Sequence, residues 1–197
     1  MKFILASNNK GKLAELSAIL SAMGEEVISQ REAGLNLEAE ETGTSFEENA
    51  EIKARAACEA LGMPAIADDS GIVVYALGGE PGVYSARYGG ESCKTDEERM
   101  LLLLKNMQYE TDRRASFVSC IACVFPNGDV VTARGQCDGK ISSSPRGEGG
   151  FGYDPIFELA DGKTMSEISA AEKNLISHRA QALKIFETKL REYYAYK

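Results

Sequence analysis

Two adjacent carboxylates, Asp68 and Asp69, lie inside Ala65-Ile66-Ala67-Asp68-Asp69-Ser70-Gly71-Ile72-Val73-Val74, between two short apolar runs that read as strands. A carboxylate pair fixed by strand ends suits a divalent cation. Because strand residues alternate between faces, a tight turn through Ser70-Gly71 is expected to bring both acids toward one ligand. An ordinary acidic turn accounts for the same residues. Glu40-Glu41-Thr42-Gly43 supplies a second acidic pair ahead of a helix start, where it either complements the helix dipole or ligates a metal.

The basic counterpart is Ser7-Asn8-Asn9-Lys10-Gly11-Lys12, a polar loop between an apolar run and a helical pattern. Helix N-termini offer free N–H groups and partial positive charge, and lysines beside them make a phosphate site; a solvated turn is the plainer account. The spacing is not that of a Walker A loop. Further on, Gly149-Gly150-Phe151-Gly152-Tyr153-Asp154 sets aromatic rings among glycines, which suits either a flat base or a core-packed turn. Lys173 and Ser177-His178-Arg179 sit near a helix start. His178 is the only histidine, and a lone histidine more often makes structural hydrogen bonds than catalyses. Arg179 is suited to donate to ligand carbonyls or phosphates, or to remain solvated.

These residues need elements to hold them. Phe3 to Ala6 reads as a buried strand, and Leu13, Leu16, Leu20 and Met23 follow at helical spacing. Ser45-x-x-Glu48 is a capping box for a helix that runs through Ile52, Ala57 and Leu61 and stops near Gly62 and Pro64. Thr95-x-x-Glu98 caps another, and Thr164-x-x-Glu167 a short one. Ser177 caps the last, with Ala180, Leu183, Phe186 and Leu190 along its inner side. Ala115 to Phe125 and Val130 to Cys137 flank Pro126-Asn127-Gly128-Asp129, a hairpin signal that makes the sheet mixed and starts a second lobe. The reading is one α/β domain over residues 1–197: a mixed twisted sheet flanked by helices, with two lobes around a central cleft.

Composition narrows the partners. A net charge of -8 argues against a nucleic-acid polymer and against long-range attraction of polyphosphates, so a phosphate ligand must be captured locally. No run is long or apolar enough for a membrane span or a signal segment. Five cysteines (58, 93, 120, 123 and 137) form an odd set better suited to a reducing cytoplasm than to disulfides. Cys120 and Cys123 lie in a strand-like run, where an i, i+3 pair faces opposite sides and cannot chelate together.

Taken in order, Ser7 to Lys12, Glu40-Glu41-Thr42-Gly43, Ala67-Asp68-Asp69-Ser70-Gly71, Pro81-Gly82-Val83-Tyr84-Ser85-Ala86-Arg87, Gly149 to Asp154 and Ser177-His178-Arg179 resemble the inosine triphosphate pyrophosphatase family over nearly the whole chain. The first loop departs from the Thr-Gly-Asn form of that family, which alters phosphate geometry without removing the lysines. The resemblance implies a cytoplasmic homodimer that hydrolyses the purine nucleoside triphosphates ITP, dITP and XTP to the monophosphate and pyrophosphate with Mg2+, keeping them out of nucleic acid. It implies that Ser7, Asn8, Asn9, Lys10, Gly11 and Lys12 hold the triphosphate, that Glu40 or Glu41 and Asp68 or Asp69 hold magnesium, and that Asp69 activates water. Ser70 touches substrate, and Phe151, Gly152, Tyr153, Asp154, Lys173, His178 and Arg179 line the base pocket. Two rival readings are a pyrophosphatase for damaged pyrimidine nucleotides and a nucleotide-binding module without catalysis.

Overall fold

The computed structural model describes residues 2–22 and 24–196. Six strands form one sheet in the order β2-β1-β3-β4-β5-β6. They are β1 (Lys2–Leu5), β2 (Glu26–Ser29), β3 (Ala65–Val74), β4 (Arg114–Val124), β5 (Val130–Ile141) and β6 (Phe157–Glu158). The helices are α1 (Lys10–Ala22), α2 (Phe46–Leu61), α3 (Asp96–Asn106), α4 (Ala170–Ile176) and α5 (His178–Ala195). β1 runs parallel to β2 and β3, whereas β5 and β6 are antiparallel, so the sheet is mixed as the hairpin signal requires. Among the described residues no helix is long and apolar enough to cross a membrane.

The chain forms two compact units, Met1–Asp69 with Ser119–Gly135 and His178–Lys197, and Ser70–Val118 with Gln136–Ser177. The change of unit therefore falls between Asp69 and Ser70, and the hairpin tip, where the sequence places the start of a second lobe, stays with the first unit. In that first unit the period-two alternation of β1 sorts the core. Phe3 and Leu5 pack with Leu16 and Leu20 of α1 and with Ala182, Leu183, Phe186 and Leu190 of α5. Ile4 and Ala6 pack on the other face with Ala50, Ala54, Ala57 and Cys58 of α2. Met23, part of the expected α1 stripe, lies outside the described residues. In the second unit Met100, Leu103 and Met107 pack with Ile72, Val74, Phe117 and Phe157.

Helix ends follow local chemistry where the chemistry is complete. Ser45 Oγ accepts from the Glu48 N–H at 3.2 Å and the Glu48 carboxylate accepts from the Ser45 N–H, while Gly62 closes α2 in a left-handed conformation at φ 64°. Thr95 and Glu98 do the same for α3. Thr164 and Glu167 instead close a turn, with the Thr164 N–H donating to Glu167 Oε2 at 2.7 Å. The short helix begins only at Ala170, under a second box made by Ser169 and Glu172. Both follow the same sequence pattern, but Thr164 Oγ1 donates to the Arg146 carbonyl at 2.9 Å, whereas Ser169 Oγ accepts the Glu172 N–H and caps the helix.

Two expectations about elements are corrected, and one strand went unannounced. β3 runs unbroken from Ala65 to Val74, so no turn separates Asp69 from Ile72. Lys10, Gly11 and Lys12 are not loop residues but the first turn of α1, because Asn9 Oδ1 accepts the Lys12 N–H at 3.0 Å and caps the helix three residues earlier than the apolar pattern suggests. β2 carries no period strong enough to announce it, and it forms by pairing along β1. All five cysteines are free and buried; Cys123 packs with the α1 and α5 face and Cys120 touches Glu47 of α2, on opposite sides of β4.

Candidate active site

The first unit gathers charge at the middle of β3. With Ile66 on the α1 and α5 face and Ala65 and Ala67 on the α2 face, the strand alternation sends Asp68 one way and Asp69 the other. Asp68 Oδ2 accepts from Arg179 Nε at 3.1 Å and lies 3.5 Å from Lys12 Nζ. Asp69 Oδ1 accepts from Lys53 Nζ at 2.9 Å, and Asn49 Nδ2 lies 3.4 Å from its other oxygen. Neighbouring acids thus occupy two differently built environments rather than one shared turn.

Around Asp68 the charges are deeply buried. Arg179 is 1% exposed and bridges Asp68 to Glu15 of α1, one helical turn beyond Lys12. The first turn of α5 can press this close because β5 carries Gly135 beneath it: a Cβ there would stand 2.2 Å from both the His178 carbonyl oxygen and the Ala182 nitrogen. Burial works against the Asp68 carboxylate, but Lys12, Arg179 and Lys53 overcome it and hold its pKa well below the ordinary value. Lys12 is shifted down, since burial and the neighbouring cations Lys53 and Arg179 outweigh Asp68. Asp68 Oδ1 is buried and has no hydrogen-bond partner among the described residues, an orphan that asks for a donor or a cation.

Around Asp69 the balance is reversed. Burial pushes its carboxyl above the ordinary aspartate value even with Lys53 and Lys12 pulling down. Burial also disfavours the Lys53 ammonium, yet Asp69, Asp68 and Glu41 together raise its pKa. Lys53 Nζ donates to Glu41 Oε1 at 2.8 Å. Asn49 tethers the same loop, its Oδ1 accepting the Gly43 N–H at 2.8 Å. Of the two acids in that loop, Glu41 enters this cluster; Glu40 is exposed and makes none of these pairings.

In the first loop, Ser7 Oγ accepts the Asn9 N–H at 3.3 Å and Asn8 Oδ1 accepts from Gln30 Nε2 at 2.8 Å. Lys10 is exposed, and Lys12 is half-buried and turned to Asp68. In the second unit the Gly-rich segment closes on Asp154. Its Oδ2 accepts from the Phe151 N–H at 2.9 Å and from Lys173 Nζ at 2.6 Å, and Lys173 Nζ stands 4.6 Å from the Phe151 ring centroid. Gly150, at φ +76°, makes the approach possible, because a Cβ there would meet Asp154 Oδ2 at 2.1 Å. Gly152 is left-handed as well, at φ 63°. Tyr153 is a core residue whose hydroxyl donates to the Ser85 carbonyl at 2.8 Å, so of the two aromatic residues only half-buried Phe151 offers a platform. Ser70 is half-buried at the start of this unit, and His178 is buried at the first position of α5.

Sequence reasoning missed Lys53, Asn49 and Glu15. A signal existed for two of them. Asn49 and Lys53 stand at i, i+4 beside the alanine stripe of α2, and Asn49 is fully buried in it; polar residues so close to an apolar face need partners. Glu15 carried no such signal.

Among the described residues no three His, Cys, Asp or Glu side chains form a ready metal cage. The donor set still fits a hard cation of the magnesium type, which takes one or two carboxylates and leaves its other positions to water and phosphate oxygens. Asp69 and Glu41 present two such oxygens to one point, now held by an ammonium, whereas Asp68 leaves β3 on the other face.

The sequence pattern of the Ham1 family matches residues 3–189. A protein of Symbiobacterium thermophilum named dITP/XTP pyrophosphatase is 50% identical over 187 residues, covering 92% of this chain and 91% of its own length. One of the same name from Haemophilus influenzae is 47% identical, covering 96% and 98%. Among solved structures, the Ham1 protein of Staphylococcus aureus superposes with a TM-score of 0.87 at 42% identity, covering 98% of this chain and all of that one.

Proposed function

The chain belongs to the Ham1 family, and we propose how its residues perform the reaction of that family. It is a nucleoside triphosphate pyrophosphatase: it hydrolyses the purine nucleotides dITP, XTP and ITP to the monophosphate and pyrophosphate. The observation that carries the assignment of roles is the division of labour between Asp68 and Asp69. Asp69, with its pKa raised by burial and its carboxylate paired to Lys53, is the base that takes a proton from the attacking water. Lys12 and the free N–H groups at the start of α1 bind phosphate oxygens. Asp68, locked ionised by Lys12 and Arg179, holds Lys12 in place until the anion arrives.

Glu41 and Asp69 would hold Mg2+, which when bound supplies charge neutralisation of the phosphates and acidification of water. The base falls to Phe151, Asp154 and Lys173. Hypoxanthine and xanthine carry a carbonyl at position 6 where adenine carries an amino group, so a donor set there is left without an acceptor by ATP. Arg179 is committed to Asp68 and Glu15, and we therefore assign it to positioning Asp68 rather than to reading the base. A cytoplasmic homodimer accords with the resemblance and with five free cysteines.

The test is pyrophosphate release from XTP, ITP, dUTP, ATP and GTP with Mg2+ or with chelator. Release from XTP and ITP at roughly 10²-fold or more over ATP, abolished by chelator, is the expected result. Preference for dUTP would transfer the chain to pyrimidine nucleotides, and saturable binding without release would make it a binding module.

A further inference from the structure

One ammonium meets two carboxylates beside the middle of β3. Lys53 Nζ lies 2.8 Å from Glu41 Oε1 and 2.9 Å from Asp69 Oδ1, with the three side chains 17%, 25% and 7% exposed. Both acids reach it from separate segments, the 40–43 loop and β3, and α2 organises the meeting. Asn49, one turn before Lys53, hydrogen-bonds the Gly43 N–H and contacts Asp69. The oxygens that a divalent cation would need are therefore already convergent, and a positive charge already stands between them.

We propose that Lys53 is a built-in counter-cation that competes with the divalent metal for the Glu41 and Asp69 oxygens, so that metal binding requires the ammonium to swing out. The inference rests on the assignment of those two acids to the metal. Two facts favour exchange over a fixed bridge. Lysine donates as a point charge on a flexible four-carbon stem, unlike the planar fork of Arg179 fixed between Glu15 and Asp68. Lys53 also brings one positive charge to two carboxylates, whereas a divalent cation brings two. The consequence is that Lys53 keeps Glu41 and Asp69 together at a cost to metal affinity.

The measurement is Mn2+ binding to the full chain without nucleotide, followed by the electron paramagnetic resonance signal of free Mn2+. Lys53→Met keeps the stem and removes the charge; it is expected to bind Mn2+ roughly tenfold more tightly than the parent, the scale of two partly screened ion pairs. Lys53→Arg keeps the charge and is expected to bind no more tightly than the parent. Equal or weaker binding by Lys53→Met overturns the proposal, as does an absence of binding in both chains. Circular dichroism confirms that each variant is folded. A second measurement needs no variant: Mg2+ should speed acylation of the Lys53 amine in the parent chain, read by peptide mass spectrometry, and an unchanged or slower rate also overturns it. Pyrophosphate release from ITP by the same preparation reports on the hydrolase assignment separately.

Discussion

Asp68 and Asp69 are adjacent in β3, yet their carboxylates leave it on opposite faces: Asp68 meets Arg179 of α5 at 3.1 Å, and Asp69 meets Lys53 of α2 at 2.9 Å. The two acids consequently have pKa values displaced in opposite directions, one well below and one above the ordinary value. Environments that separate a pair in this way separate their chemical roles.

Asp69→Asn should leave the fold intact and lower turnover by about two to four orders of magnitude, the range for losing a general base with its metal contact. Steady-state pyrophosphate release on a variant with an unchanged circular dichroism spectrum gives the answer. Near-normal turnover would remove Asp69 from both roles.

Arg179→Met should cost stability on the order of 3–5 kcal/mol, because it strands Glu15 and Asp68 without their buried counter-charge. Urea unfolding measures it. The ratio of ITP to ATP hydrolysis in whatever protein remains folded should hold steady; a collapsed ratio would return Arg179 to the base.

Asp68 sets an acid limit. Its folded pKa lies below the ordinary 3.8, so its contribution to stability is present above that value and is lost as pH falls through it toward the folded pKa. Between about pH 5 and pH 3 the parent chain should therefore lose unfolding free energy faster than Asp68→Asn. Parallel losses in the two proteins would contradict the depressed pKa.

Phe151→Ala should raise the Michaelis constant for ITP roughly tenfold to a hundredfold, the worth of one base stacked on a ring, while turnover changes less. An unaffected constant would make Phe151 a packing residue alongside Tyr153.

Much of this was legible in the chain itself. The box at Ser45 and Glu48, the stop at Gly62, the inner stripe of α5 and the hairpin at Asn127-Gly128 are local devices, whose partners sit within a turn or two of sequence, and all appear where the pattern puts them. The motif series likewise marked Lys12, Glu41, Asp69 and Asp154, because residue type and order survive in the sequence whatever the packing. What the sequence left undecided is where each charge finds its opposite. Lys53 reaches Asp69 across 16 positions and Arg179 reaches Asp68 across 111, and no local period encodes such a meeting. It also misjudged β3, where Ser70-Gly71 reads as a turn but pairing within the sheet keeps the strand straight through it. That continuity places Asp68 and Asp69 back to back, so only the tertiary structure turns two neighbouring carboxylates into one with a depressed and one with a raised pKa.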